Sequence, residues 1–178
     1  MKKYQVELTG VAPLLQNKFN VEAQVNPTST RKKKVYVPEE EAEKCLYRNS
    51  DKQIYVPSEH VLGSMIRAAG DFKVDRFKNY KNVIKSGILV SPDAILLGKD
   101  TWDEIDVRRA VIGRAGVVKW RPKFNDWKIS FEITVIADDL LDSRTLKEIL
   151  ETAGATQGIG DYRPRFGRFM VTKFTELK

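Results

Sequence analysis

Residues 127–136 alternate very regularly between apolar and polar side chains, and no other feature of the sequence constrains the fold as much. The apolar positions share one side of an extended chain: Trp127, Ile129, Phe131, Ile133 and Val135. A period of two residues is typical of a strand that packs one face against a core and turns the other to solvent. The segment therefore predicts a strand with one buried face.

Two segments have the period of an amphipathic helix. The first opens at Pro57-Ser58, with Ser58 as the predicted N-cap, and ends at Gly70. Its apolar face consists of Val61, Leu62, Met65, Ile66 and Ala69. The second begins at Asp142 or Ser143 and stops at Gly154. Its inward positions are Leu146, Ile149, Leu150 and Ala153.

Shorter patterns predict the remaining elements. Pro38 and the acids after it predict a short helix that ends near Arg48. The segments that flank Gly113-Arg114-Ala115-Gly116 predict a long hairpin with a glycine-bracketed tip. Residues 16–34 have little periodicity, which predicts a loop, and residues 72–85 are expected to be partly helical. The other expected strands are 4–10, extended by 11–15 beyond a kink, then 52–56, 88–90, 94–97 and 169–174.

The order of these elements defines a fold class. Reduced to its essentials, the chain reads strand, helix, strands, helix, strand, which is the split βαβ pattern of ferredoxin-like domains. We therefore expect an α+β protein with a ferredoxin-like βαββαβ core and a long basic hairpin insertion. With 42% apolar residues, a chain of 178 residues can fill one core. Residues 1–178 are accordingly expected to form a single domain.

The composition argues against several kinds of site. Cys45 is the only cysteine and His60 the only histidine, so the sequence contains no disulfide framework and no recognisable zinc spacing. No P-loop or dinucleotide fingerprint is present. We therefore expect no metal and no cofactor. The lone thiol, with no apolar signal-peptide core and no run long enough to span a bilayer, favours a cytoplasmic protein without a membrane partner.

Basic residues outnumber acids and cluster in three segments. The formal charge of +7 favours a polyanionic partner. One cluster ends in Arg31-Lys32-Lys33-Lys34, and another covers residues 157–173. The third contains Arg108, Arg109, Arg114, Lys119, Arg121, Lys123 and Lys128. A solvated face would explain any one of these runs, but three together indicate a nucleic acid.

Glycines, arginines and aromatics interleave in residues 158–169, just before the last predicted strand. Arginines can follow phosphates, aromatic rings can stack on bases at roughly 1–3 kcal/mol per base, and glycine lets a backbone approach closely. Trp120, between Lys119 and Arg121, is a second stacking candidate, with core burial as the alternative. The same alternative applies to Phe166 and Phe169. The residues predicted to contact nucleic acid are Lys32, Lys33, Arg67, Arg108, Arg109, Arg114, Lys119, Trp120, Arg121, Gly158, Gly160, Tyr162, Arg163, Arg165, Phe166 and Arg168.

Two motifs resemble the repeat-associated (RAMP) superfamily of CRISPR proteins. Tyr55-Val56-Pro57-Ser58-Glu59-His60-Val61-Leu62-Gly63-Ser64-Met65-Ile66-Arg67 looks like that superfamily's entry to its first helix, and Gly158-x-Gly160 followed by Gly167 and a strand is similar to its glycine-rich loop. Together they cover about a fifth of the chain. The resemblance implies a modified RNA-recognition fold and RNA binding, most like the backbone subunits that coat a guide RNA. The basic hairpin would then be a thumb over the nucleic acid.

The sequence also departs from this superfamily. The chain is short for a CRISPR backbone subunit, and residues 17–34, where target-cleaving members place a catalytic aspartate, contain no aspartate. Cleavage by that route is therefore not expected. A relative encoded by a virus or mobile element, which coats single strands outside any CRISPR complex, would explain the short chain equally well.

The expected function is binding of single-stranded nucleic acid, RNA before DNA, through its backbone and with little sequence preference. Assembly of copies along the strand, or with other ribonucleoprotein subunits, would fit this function. Three alternatives stay open. One is a metal-independent, guide-processing endoribonuclease in which His60 is the general acid or base; a partly exposed helix residue is the simpler interpretation of His60. The others are a viral protein that coats single-stranded DNA and an adaptor whose basic face binds an acidic protein.

Overall fold

The computed structural model describes residues 1–19, 36–75, 78–112, 115–136 and 138–177. The strands are β1 (Lys2–Gly10), β2 (Leu14–Leu15), β3 (Tyr55–Pro57), β4 (Ile88–Ser91), β5 (Ala94–Leu96), β6 (Glu104–Ile112), β7 (Ala115–Phe124), β8 (Lys128–Val135) and β9 (Phe169–Leu177). The helices are α1 (Pro38–Lys44), α2 (Ser58–Ala68), α3 (Lys81–Gly87) and α4 (Ser143–Thr152). A 3₁₀ turn at Ala69–Asp71 follows α2, and a π-helical turn at Ala153–Gln157 follows α4.

The largest sheet has four strands in the order β4-β8-β1-β9, and every neighbouring pair is antiparallel. Strand β8 shows the alternation expected from its sequence, because Ile129, Phe131, Ile133 and Val135 are all buried. Opposite them on β1, Tyr4, Val6 and Leu8 supply the matching apolar row. The protein is therefore α+β, as the sequence predicts.

Helices cover one face of this sheet. Helices α2 and α4 contact each other, α2 also contacts β4, and α4 contacts β9. The predicted inward faces are confirmed, since Val61 and Met65 on α2 and Leu146, Ile149 and Leu150 on α4 are buried. One apolar cluster extends from Tyr4 to Phe169 and joins both helices to the sheet. This core gives the loops at its edge a rigid support.

A second, smaller sheet carries the basic segment. Its strand order is β2-β7-β6, and β6 pairs with β7 from Glu104 opposite Lys123 to Ile112 opposite Ala115. We call this pair the β6–β7 ribbon; residues 113 and 114 between its strands lie outside the described part of the chain. Helix α1 packs beside β7. Strands β3 and β5 form a further antiparallel pair.

Several boundaries differ from those that the sequence predicts. Ser58 is not an N-cap: it is the first residue of α2 and is buried, while Pro57 occupies the cap position without a side-chain hydrogen bond. Gly154 does not end α4, because the chain continues through the π-helical turn until Gly158 adopts a φ of +70°. A Cβ at Gly154 would overlap the carbonyl oxygen of Phe169, so this glycine serves the close approach of helix and strand.

Smaller corrections concern length. Helix α1 ends at Lys44 rather than near Arg48, and β3 begins at Tyr55 rather than at Lys52. Residues 14–15 do not extend β1: they pair with β7 as β2. Most of the loop predicted for residues 16–34 lies outside the described residues.

Removal of the α4 cap is expected to destabilise the protein. One oxygen of Asp142 accepts from the backbone N–H groups of Arg144 and Thr145, both at 2.9 Å, and these bonds with the Thr145 hydroxyl hold the pKa of Asp142 below its usual value. Asp142→Ala should lower the free energy of unfolding by about 1 kcal/mol near neutral pH. Urea unfolding followed by circular dichroism measures this loss.

The loss should also depend on pH. Because the folded state lowers this pKa, the stabilisation is present above the unfolded pKa of about 3.9 and disappears as pH falls through the folded value. The difference between wild type and Asp142→Ala should therefore narrow below that pH. Asp139→Ala, which removes an exposed carboxylate outside the cap, is the control. An equal loss in both variants would contradict the capping role.

Candidate nucleic-acid interface

Residues 158–168 form a folded loop rather than an open turn. The N–H of Ile159 donates to the carbonyl of Gly167 at 2.9 Å, which closes the loop on itself. Two further bonds attach it to β2 and to the residue before β2: Asp161 N donates to Leu15 O at 2.9 Å, and Gly167 N donates to Pro13 O at 2.8 Å. The loop is thus held at both ends against a strand of the smaller sheet.

The glycines of this loop are required by the protein's own packing. Gly158, Gly160 and Gly167 have φ values of +70°, +78° and +72°, a region that side chains with a Cβ avoid. A Cβ at Gly160 would lie 2.5 Å from Leu15 O, and one at Gly167 would overlap Ile159 O. The space on the Cβ side of these glycines is filled by the chain itself. Close approach of a ligand to Gly158 and Gly160 stays a prediction.

An ion pair with a buried guanidinium joins the loop to the β6–β7 ribbon. Arg121 on β7 is only 6% exposed, and its Nε donates to Oδ2 of Asp161. Burial of a guanidinium requires such a partner, because an unpaired charge in a low-dielectric interior is costly. Arg121 therefore positions the loop, and its side chain lies away from the surface that a ligand would reach.

Arg108 forms a second connection between the ribbon and the loop. Its guanidinium carbon lies 5.2 Å from the ring centroids of both Tyr162 and Phe166, within the range of cation–π attraction. Its Nε also donates to Asp106 at 2.8 Å. Phe166 is 7% exposed and so belongs to the support of the loop, whereas Tyr162 is 47% exposed with a strained φ of 55°. Tyr162 thus presents a fixed aromatic ring to solvent.

The remaining arginines of the loop are exposed. Arg163, Arg165 and Arg168 all reach the surface, and Nε of Arg168 donates to the carbonyl of Pro164 at 2.8 Å. Partial loss of hydration and the nearby Arg67 guanidinium hold the pKa of Arg163 below its usual value. Two neighbouring guanidinium groups repel each other and create a positive potential. This potential favours the binding of an anionic group.

The ribbon adds cations and one large aromatic ring. Arg109 is exposed, and its guanidinium lies against Gly116 on the opposite strand. Lys119 and Trp120 are half-buried, and Trp120 stacks on Tyr36 with ring centroids 5.6 Å apart. Trp120 is therefore not a core residue, which was the alternative interpretation. Phe169, in contrast, is buried in the core.

His60 lies next to the same loop. Its ring makes an edge contact with Tyr47 at 5.4 Å. Burial, and secondarily the charge of Arg163, lowers the pKa of His60 below 6.5, so the imidazole is neutral near pH 7. A neutral imidazole can accept a proton, but the structure gives no distance from it to a reacting group.

The open face of the four-stranded sheet does not resemble a stacking platform. On this face the two central strands carry Gln5, Glu7 and Thr9 on β1 and Lys128 and Ser130 on β8. Glu7 pairs with Lys128 at 2.7 Å. None of these side chains is aromatic, and the carboxylate opposes a polyanion. Within the described residues, no group of three or more His, Cys, Asp or Glu side chains is placed to hold a metal.

Of the ribbon residues that the sequence proposes, the structure brings Arg108 and Arg121 against the loop, whereas the strand register places Arg109 and Trp120 on the opposite face of the ribbon. Arg121, Phe166 and the loop glycines support the site, while Arg67, Arg108, Arg109, Lys119, Trp120, Tyr162, Arg163, Arg165 and Arg168 lie wholly or partly at the surface. Lys32, Lys33 and Arg114 lie outside the described residues. No described helix is long and apolar enough to cross a membrane.

Sequence reasoning missed the partners that fix these residues. Asp161 stands out in the sequence as the single acid among the basic residues of 157–173, and that isolation was a usable signal for the pair with Arg121. Tyr36 and Tyr47 gave no such signal. Each meets its partner ring, Trp120 or His60, only after the chain has folded.

Comparison with known proteins shows a shared fold. No family model and no curated protein matches the sequence. Among solved structures, the chain is similar to one described as "Cryo-EM structure of the Type III-B Cmr-beta bound to cognate target RNA", with a TM-score of 0.56 and 9% sequence identity. The match covers 99% of this chain but 61% of the other. At this identity the likeness shows a shared fold alone.

Substitution of a loop glycine tests how the site is built. Gly167→Ala should lower the free energy of unfolding by about 3 kcal/mol or more, because a Cβ must both adopt a left-handed φ and displace Ile159 O. Gly98 is the matched control: its φ is +69°, but nothing lies within 4 Å of a Cβ there. Gly98→Ala should cost only about 1–2 kcal/mol. Equal losses in thermal or urea unfolding would contradict tight packing of the loop.

Proposed function

We propose that this protein binds single-stranded nucleic acid, RNA in preference to DNA, along a surface formed by the glycine loop and the β6–β7 ribbon. The observation that carries the proposal is the junction of these two segments. The Arg121–Asp161 pair and the Arg108 contacts hold the loop against the ribbon, and the same loop carries the exposed arginines Arg163, Arg165 and Arg168. We further infer that the four-stranded sheet and its helices α2 and α4 form a ferredoxin-like unit in which the ribbon is inserted.

Binding would be directed mainly at the sugar-phosphate backbone. Arg163, Arg165 and Arg168 extend from a loop whose backbone is fixed, so they can follow phosphates without ordering the chain first. Tyr162 offers an exposed ring on which any base can stack. Such contacts do not distinguish one base from another, and we therefore infer little sequence preference for this surface.

The preference for RNA has its own support. The similar structure is described as bound to cognate target RNA, and a backbone-directed site can use the 2′-hydroxyl to distinguish RNA from DNA. We infer that the protein acts within a ribonucleoprotein, beside other subunits or further copies of itself. A protein that coats single-stranded DNA is the alternative.

The triple variant Arg163→Ala, Arg165→Ala, Arg168→Ala tests the surface. We expect affinity for single-stranded RNA to fall about tenfold to a hundredfold, by similar factors for oligomers of different sequence. The slope of log affinity against log salt should decrease in magnitude by about 2, since each phosphate contact with a single strand contributes roughly 0.7. Fluorescence anisotropy over a salt series measures both quantities.

The matched control removes the same charge elsewhere. Lys81 and Lys85 on α3 and Lys147 on α4 are exposed, and their triple alanine variant should keep most of the affinity. Unchanged binding in the arginine variant, or equal losses in both triple variants, would refute the surface. Equal affinity for DNA of the same sequence would reject the preference for RNA. Polyglutamate that competes as well as RNA does would instead favour an acidic protein partner.

A catalytic role of His60 is a second, weaker proposal, which its neutral imidazole beside the basic loop favours. If the protein only binds, His60→Ala should keep RNA affinity within about twofold, because the histidine contributes no positive charge at neutral pH. Electrophoresis of labelled RNA incubated with wild-type protein in a metal chelator should show no cleavage. Chelator-resistant cleavage by wild type that His60→Ala abolishes would establish the endoribonuclease instead.

A further inference from the structure

We propose that the cavity between α1 and β7 binds one base of the nucleic acid and selects a base that carries an exocyclic amino group. This inference rests on the proposed function and adds to it a place where a base is read. The surface at the loop and ribbon junction has no evident means of discriminating bases. The cavity, by contrast, combines aromatic rings with a carboxylate.

The cavity has the size and lining of a small-ligand site. Its volume is about 440 Å³, and the side chains that line it include Tyr36, Glu41, Cys45, Lys119 and Trp120. Ligand sites are commonly pockets of roughly 300–1,000 Å³ in which apolar and aromatic walls carry a few polar groups. One nucleoside fits comfortably in this volume.

The aromatic pair supplies a stacking wall. The rings of Tyr36 and Trp120 lie 5.6 Å apart with 27° between their planes. Tyr36 is 51% exposed and Trp120 is half-buried, so ring surface borders both the cavity and solvent. A planar base can continue or enter such a stack. Lys119 lines the same cavity and can neutralise a phosphate next to the stacked base.

The polar groups of the cavity determine which base fits. Oε1 of Glu41 accepts a hydrogen bond from Lys44 at 2.6 Å, which holds the carboxylate in place on α1. Burial raises the pKa of the Cys45 thiol, and this thiol donates to Oδ1 of Asn17 at 3.6 Å. Among the described side chains that line the cavity, Glu41 alone is a carboxylate, so it is the strong hydrogen-bond acceptor there.

A carboxylate accepts hydrogen bonds and cannot donate them. Cytosine presents an amino group as a donor, and a carboxylate is its usual protein acceptor. Uracil presents a carbonyl oxygen at the same position, which a carboxylate repels. Cytosine and uracil are similar in size and stack similarly, so this pair of bases isolates the contribution of Glu41.

The experiment compares oligocytidylate with oligouridylate of equal length. We expect the wild-type protein to bind oligocytidylate about threefold to tenfold more tightly. Glu41→Gln should bring the ratio close to one, because an amide can both donate and accept. Glu39→Gln removes an exposed carboxylate from the same helix and should keep the wild-type ratio.

Tryptophan fluorescence provides an independent measurement. Oligocytidylate should quench the wild-type protein, and Trp120→Phe should remove most of that quenching because the other tryptophans, Trp102 and Trp127, lie outside the cavity. Equal affinity of the wild-type protein for oligocytidylate and oligouridylate would overturn the base site. Quenching that is unchanged in Trp120→Phe would overturn it as well. Neither result depends on whether Glu41→Gln folds.

The two proposals can fail separately. If both oligomers bind with salt-dependent affinity but equally, the base site is wrong and the proposed function stands. If neither binds, the proposed function is wrong, and cytidine and uridine 5′-monophosphates then test the cavity directly. Quenching by cytidine monophosphate at lower concentration than by uridine monophosphate would support the cavity, while no quenching by either would overturn it.

Discussion

The contact between the buried guanidinium of Arg121 and the carboxylate of Asp161 fixes the position of the glycine loop against the β2-β7-β6 sheet. The ion pair alone would be costly, since the guanidinium is buried and the carboxylate loses part of its hydration. It is accompanied by hydrogen bonds from Asp161 N to Leu15 O and from Gly167 N to Pro13 O, so one short segment of chain connects the loop to β2 and, through β2, to β7. The loop therefore keeps one position against the ribbon, whatever its exposed side chains do.

In this arrangement some of the charged and aromatic residues support the loop, and others are exposed on its surface. Arg121 and Phe166 face inward and define the shape of the loop, whereas Arg163, Arg165 and Tyr162 face outward from it. A site with preformed backbone geometry loses less conformational entropy on binding than a flexible basic tail would. His60 on α2 is close enough to this loop for the charge of Arg163 to lower the pKa of its imidazole, together with burial.

Much of the fold could be predicted because its signals are local. The period of two in β8 and the apolar faces of α2 and α4 survive in the structure, since each pattern records which side of an element meets the core. The predicted element boundaries are wrong at positions where tertiary contacts override local preference. Gly154 indicated a helix end but serves close packing against Phe169, and Leu14 and Leu15 indicated a continuation of β1 but pair with β7.

The candidate site could be predicted as a set of residues but not as a geometry. Sequence identified the basic and aromatic positions, and it could not show which arginine would be buried against an acid. The cavity beside Trp120 was still less accessible to sequence reasoning. Its members Tyr36, Glu41 and Cys45 are distant in sequence from Lys119 and have no shared pattern.

Photo-crosslinking tests most directly whether the loop and the ribbon form one binding surface. Single-stranded RNA that carries photoreactive bases would be irradiated with the protein, and the crosslinked peptides identified by mass spectrometry. The account predicts crosslinks on both sides of the junction, in residues 161–168 and in residues 116–121, at the same protein-to-RNA ratio. Crosslinks confined to the open face of the four-stranded sheet, or to helices α3 and α4, would contradict it.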